Sequence, residues 1–261
     1  GSTALYNTSN GEQNVAMGYK ALFTNSTGDN NVAIGHVALH TIAGADNNTA
    51  VGTVSGYSVT TASGSAFLGY QAGRSVSTGN DNIAIGNSAM YGGTVTGDNN
   101  IAIGASAGDA LTSGFSNTFL GNDSGGTITT GHSNTFIGQN AATNNNSGTQ
   151  KTTAIGASAG ANGDSDESVF IGFAAAGSGT KTNATDGTVA IGKSSLGALT
   201  SGAANIAIGY QSGLETTIGD YNVYIGYQAA YRTAGLNNQY NTMVGYKAGA
   251  GDWTSTASVK N

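Results

Sequence analysis

The chain has 261 residues, of which 43 are glycine and none proline or cysteine, and only 8% are charged. Glycine at more than twice its ordinary usage, with so few charges, is not the composition of an average enzyme. A net charge of −6 with eight lysines and arginines argues against nucleic acid and anionic membrane as partners; the absence of cysteine removes disulfides and thiolate sites, and no apolar run reaches the length of a membrane span.

Read from the N-terminus, an Ile, Leu, Val or Met followed by glycine recurs at Gly18, Gly35, Gly52, Gly69, Gly86, Gly104, Gly121, Gly138, Gly156, Gly172, Gly192, Gly209, Gly226 and Gly245. Most steps are 17 residues; the exceptions include 16 to Gly172, 20 to Gly192 and 19 to Gly245. Gly1 stands in the same register, so residues 1–261 read as a single repeat array and as a fragment of a longer fibrous protein. The three residues before each glycine are the expected strands, as in Val32–Ile34 and Ile101–Ile103, because a β-branched residue opens thirteen of the fourteen copies. Asparagine stands four before the glycine in ten copies and is expected to form an amide ladder between copies. Alanine or serine stands three after it in all fourteen, which requires close packing there, and a second glycine seven before it in eight copies marks another turn.

A period near seventeen residues is too short for a helical pair or a propeller blade and fits one coil of a β-solenoid. The predicted fold is therefore all-β, a parallel β-solenoid of about 14 coils, and the absence of proline agrees, since proline would remove a ladder hydrogen bond. The column two before the glycine is apolar throughout: Ala16, Ala33, Ala50, Phe67, Ala84, Ala102, Phe119, Phe136, Ala154, Phe170, Ala190, Ala207, Tyr224 and Met243. With Val32 and Ile34 taken as facing into the coil, alternation turns Ala33 outward. That column is then an apolar stripe too long for a soluble monomer, and is expected to be the interface with further copies of the chain.

The segments NVAIG ending at Gly35, NIAIG ending at Gly86, Gly104 and Gly209, and NVYIG ending at Gly226 resemble the head repeats of trimeric autotransporter adhesins. They are still more similar to repeat arrays of bacteriophage tail fibres and related bacterial surface proteins. The resemblance covers nearly the whole chain and implies a left-handed β-roll, a homotrimeric fibre and a role in attachment to a host cell or surface. It places the protein outside the cell, on a bacterial surface or a virion tail, with a host glycan or protein as receptor. The autotransporter repeat is shorter than the one here.

Motifs of chemistry dissolve into the repeat. Gly187 to Ser194 matches the P-loop pattern, but Gly192 is the repeat glycine and no long helix-forming segment follows. Ser106 and Ser158 imitate a nucleophile elbow only because their segments are two copies of one coil. His36, His40 and His132 occupy different coil positions and are not expected to bind a metal. Asp164, Asp166 and Glu167 form the one tight acidic cluster, read as a solvated loop with a weak calcium site or a catalytic pair as alternatives. Asp29, Asp46, Asp98 and Asp220, each six before a glycine, read as turn residues.

No catalytic residue, cofactor or metal is expected. The receptor-binding candidates are Tyr19, Tyr70, Tyr210, Tyr227 and Tyr246, each immediately after a repeat glycine, together with Trp253; Tyr57, Tyr91, Tyr231 and Tyr240 add to the loops. Tyrosine offers sugars an apolar face and a hydroxyl, and the same residues serve equally as packing corners. The expected function is a non-enzymatic structural and adhesive fibre segment; a glycan-cleaving spike and an ice-binding solenoid are the alternatives.

Overall fold

The structure, a computed structural model, describes residues 1–145, 147–163, 165–182, 185–233 and 239–251. It forms two compact units, Gly1–Ser133 and Asn134–Asn261, each a parallel β-solenoid with no α-helix among the described residues. In the first unit seven three-residue strands stack in chain order: β1 (Val15–Met17), β3 (Val32–Ile34), β5 (Thr49–Val51), β6 (Ala66–Leu68), β7 (Ile83–Ile85), β8 (Ile101–Ile103) and β9 (Thr118–Leu120). The short strands β2 (Thr24–Asn25) and β4 (Thr41–Ile42) pair on another side of the coil. The second unit stacks β10 (Thr135–Ile137), β11 (Thr153–Ile155), β12 (Val169–Ile171), β13 (Val189–Ile191), β14 (Ile206–Ile208), β15 (Val223–Ile225) and β16 (Thr242–Val244). Every pairing joins equivalent repeat positions, so Val169 faces Val189 although the coil between them is 20 residues long. Extra residues are absorbed in the turns, because a slipped strand would exchange its two faces.

The repeat glycine is dictated by stacking. At Gly69 φ is +134°, and an added Cβ would lie 2.7 Å from the carbonyl oxygen of Gly86 in the next coil. Two residues later the chain turns through a left-handed conformation in every coil, φ lying between 50° and 62°, even where the residue is the β-branched Val37 or Val54. Such residues resist that region, so the coil-to-coil ladder holds them there. The asparagine ladder forms as expected: buried Asn48 donates through Nδ2 to Asn31 Oδ1 at 3.2 Å and to the Ala62 carbonyl at 2.9 Å, and its own N–H donates to Asn31 Oδ1 at 2.9 Å. Asn100 and Asn82 repeat the arrangement, as do Asn222 and Asn205.

The strand faces are the reverse of the expectation. The central strand residues Ala33, Ala50, Phe67, Ala84, Ala102 and Phe119 in the first unit, and Phe136, Ala154, Phe170, Ala190, Ala207 and Tyr224 in the second, are buried inside their own coils. Ala16 and Met243 are half-buried members of the same column. The column is thus the core of a single chain and not an interface between chains. The flanking columns face out instead: Met17, Leu68, Leu120, Ile206, Ile208 and Val244 are exposed, and Ile83, Ile85, Ile101 and Ile103 are half-exposed.

The cause is volume. A narrow coil receives one strand side chain per turn, together with the small residue three after the glycine (Ala38, Ala72, Ala107), the residue four after it (Leu22, Leu39, Met90) and an aliphatic seven after it (Ile42, Val59, Val76, Leu111). These positions compensate each other. Gly108, four after Gly104, precedes Phe119 in the next coil; Gly56 precedes Phe67, Gly160 precedes Phe170 and Gly213 precedes Tyr224. Where that position is Leu22, Leu39, Met90 or Leu196, the next coil presents Ala33, Ala50, Ala102 or Ala207. Close packing admits one large side chain per level.

Candidate binding surface

The position immediately after the glycine lies beyond the strand, where the coil turns. Tyr19, Tyr70, Tyr210, Tyr227 and Tyr246 are all exposed there. In the second unit Tyr210 stacks on Tyr227 with centroids 5.2 Å apart, and Tyr227 on Tyr246 at 5.3 Å, each pair within 11° of parallel. Lys193, one coil earlier, sets its ammonium between the rings of Tyr210 (6.0 Å) and Phe173 (5.8 Å), and the Lys247 ammonium lies 5.5 Å from the Tyr246 ring centroid. Tyr19 stacks on His36 at 5.2 Å, whereas the coils adjoining Tyr70 carry Thr53 and Asn87 at this position. Because the rings of the row stack face to face, a sugar meets their edges and hydroxyls rather than their faces. Trp253 and Asp164 lie outside the described residues.

A second column, five residues after the glycine, was hidden from repeat counting because its residue types differ. In the first unit Tyr6, Phe23, His40 and Tyr57 stack in succession at 5.5, 5.2 and 5.0 Å, and Arg74 lies 6.0 Å from Tyr57 and 5.2 Å from Tyr91. Its signal was a column of planar side chains, legible only if Arg and His are counted with the aromatics. His40 is held below the ordinary histidine range, first by burial and then by the nearby Lys20 charge.

The acidic groups are employed in turns. Asp29 Oδ1 accepts from the Glu12 N–H at 2.6 Å, and Asp46 Oδ1 from the Asp29 N–H at 2.8 Å. Asp98 and Asp220 do the same for Asn80 and Ala203. Within the acidic cluster, Asp166 accepts from the Gln150 backbone and side chain, while Glu167 pairs with Lys151 at 2.8 Å on the surface. That pairing lowers the Glu167 carboxyl and raises the Lys151 ammonium. Asp109 is raised by burial and by the Asp123 charge. No group of three or more His, Asp or Glu side chains among the described residues is placed to hold a metal ion.

Among the described residues of the second unit, Asp166, Asp186 and Asp220 stand six before a glycine and Lys151 and Glu167 five before, whereas Lys193 and Lys247 stand one and two after. No carboxylate occupies those two positions anywhere in the unit. Lys181 is different in kind: buried, it donates to the carbonyls of Ala161 and Ala176, and burial pushes its pKa down to about 7. No helix among the described residues is long and apolar enough to cross a membrane. No protein-family model matches the chain, and neither a curated protein nor a solved structure was found to be similar to it.

Proposed function

We propose that the chain is a structural and adhesive fibre segment, non-enzymatic, that assembles with copies of itself and attaches to a host cell or other surface outside the cell. The observation that carries this reading is the outward strand face. In each unit both flanking columns, Val15 to Thr118 and Met17 to Leu120 in the first and Thr135 to Thr242 and Ile137 to Val244 in the second, are built of apolar and β-branched residues that remain partly exposed in every coil. A face of this kind is an interaction surface, and an identical sheet face on a second copy has the same rise and the same apolar character. Assembly here therefore uses Ile85 and Ile103 rather than Ala84 and Ala102. Three copies is the number implied by the resemblance to trimeric adhesins and tail fibres.

Mass measurement in solution tests the assembly. The expected result is a trimer that the Ile85→Lys/Ile103→Lys variant converts to a folded monomer; a wild-type monomer at high concentration would overturn it. Ice binding is a second reading of the same face, favoured by its regular outward β-branched column with Thr135 and Thr153 on successive strands. An assay of ice recrystallisation separates the two.

A further inference from the structure

Resting on the attachment reading, we infer that the row Lys193, Tyr210, Tyr227, Tyr246 and Lys247 binds a linear acidic polysaccharide laid along the stack of coils. Three features of the row agree on this ligand. Its rings repeat at 5.2 and 5.3 Å, close to the rise of one sugar in an extended glycan. The stacked rings cover each other's faces, so the row presents ring edges and phenol hydroxyls, which donate and accept hydrogen bonds. Cations stand at both ends, Lys193 against Tyr210 and Lys247 against Tyr246.

The charge sign of the partner follows from the two lysines at the ends of the row. In a chain of net charge −6, these two lysines sit at repeat positions where the unit carries no carboxylate, while Asp166, Asp186 and Asp220, six before a glycine, serve as backbone acceptors. The neighbouring position adds neutral polar groups, with Gln228 Nε2 donating to Gln211 Oε1 at 2.9 Å. Carboxylates of a polyuronate would meet the ammonium groups at the two ends, and its ring hydroxyls would meet the phenols between them. Charge-assisted bonds at the ends and neutral ones between them divide the work of affinity and register.

The test uses the whole chain and two probes of equal length, a β-1,4-linked polymannuronate decasaccharide and a neutral β-1,4-mannan decasaccharide, measured by titration calorimetry at low and high salt. The acidic chain is expected to bind, more weakly as salt rises, and the neutral one at least tenfold less tightly, about the loss of one charge-assisted bond. Tyr210→Phe/Tyr227→Phe/Tyr246→Phe keeps the stacked rings and removes only the hydroxyls, and Lys193→Gln/Lys247→Gln removes only the charges. Each is expected to weaken binding about tenfold. Equal binding of the two probes, no binding of the acidic one, or indifference to both variants would overturn the inference. If a neutral glycan on an array binds instead, the attachment reading survives without this ligand; if no glycan and no cell surface retains the protein, both fail.

Discussion

Phe119 lies between two glycines: a Cβ added to Gly108 in the preceding coil, or to Gly125 in its own, would stand 2.7 Å from the ring. No real Cβ contact is so short, so the ring occupies the space that side chains at both positions would need. The relation identifies the inside of the coil, since a residue whose volume is matched by neighbours across the lumen cannot be facing another chain.

Gly125→Ala is therefore expected to be strongly destabilising, through the clash and through a left-handed φ of +64°. Gly187→Ala is the control, with φ of +67° and nothing within 4 Å of the added methyl, leaving a conformational cost of about 1 kcal/mol. Denaturant unfolding of both variants should show Gly125→Ala losing at least about 2 kcal/mol more, the cost of overpacking. Equal losses would mean the core is not filled as described.

Phe119→Ala should cost about 3–5 kcal/mol as a large cavity in a packed interior, and should leave the oligomeric mass unchanged. The outward Ile103→Lys should do the converse, altering mass with little effect on unfolding. Scattering and chemical denaturation on the two variants settle which column meets a partner.

Asn100→Leu removes a side chain that donates to the Gly114 carbonyl at 2.9 Å and accepts from the Asn117 N–H at 3.1 Å. Buried backbone groups left without partners cost about 1–3 kcal/mol each, and a leucine of similar size restores neither bond. Hydrogen exchange should show the adjoining coils opening first, because a repeat stack couples each coil only to its neighbours. Protection undiminished at Asn117 would contradict the ladder.

The buried Lys181 makes stability depend on pH in the sense opposite to a salt-bridged lysine. Its pKa is about 7 in the folded chain against an ordinary 10.5, so between those values the unfolded chain holds more protons. Stability should therefore rise with pH from about 7 to about 10.5 and level off above; below about 7 the burial penalty is present in full. Lys181→Met should be more stable than the parent at pH 6 and should flatten this rise. A stability curve that falls across the window would place the ammonium in water.

The period, the strand positions, the glycine corners and the asparagine ladder were all legible in the residues. Each is a property of one column, imposed because a stacked coil repeats its backbone conformation and its hydrogen bonds at the same place. Even the tyrosine row was visible as a column, although the mutual stacking that covers its ring faces was not.

Which strand face looks inward was decided only by the assembled coil. Alternation requires that Ala33 and Ile34 point opposite ways, and it is equally satisfied by either choice. The tie is broken by volume across the lumen, where Gly108 and Gly125 make room for Phe119 and Leu39 is answered by Ala50. That information lay in pairs of columns from adjoining coils, which become neighbours only once the chain has closed each turn and stacked it on the next.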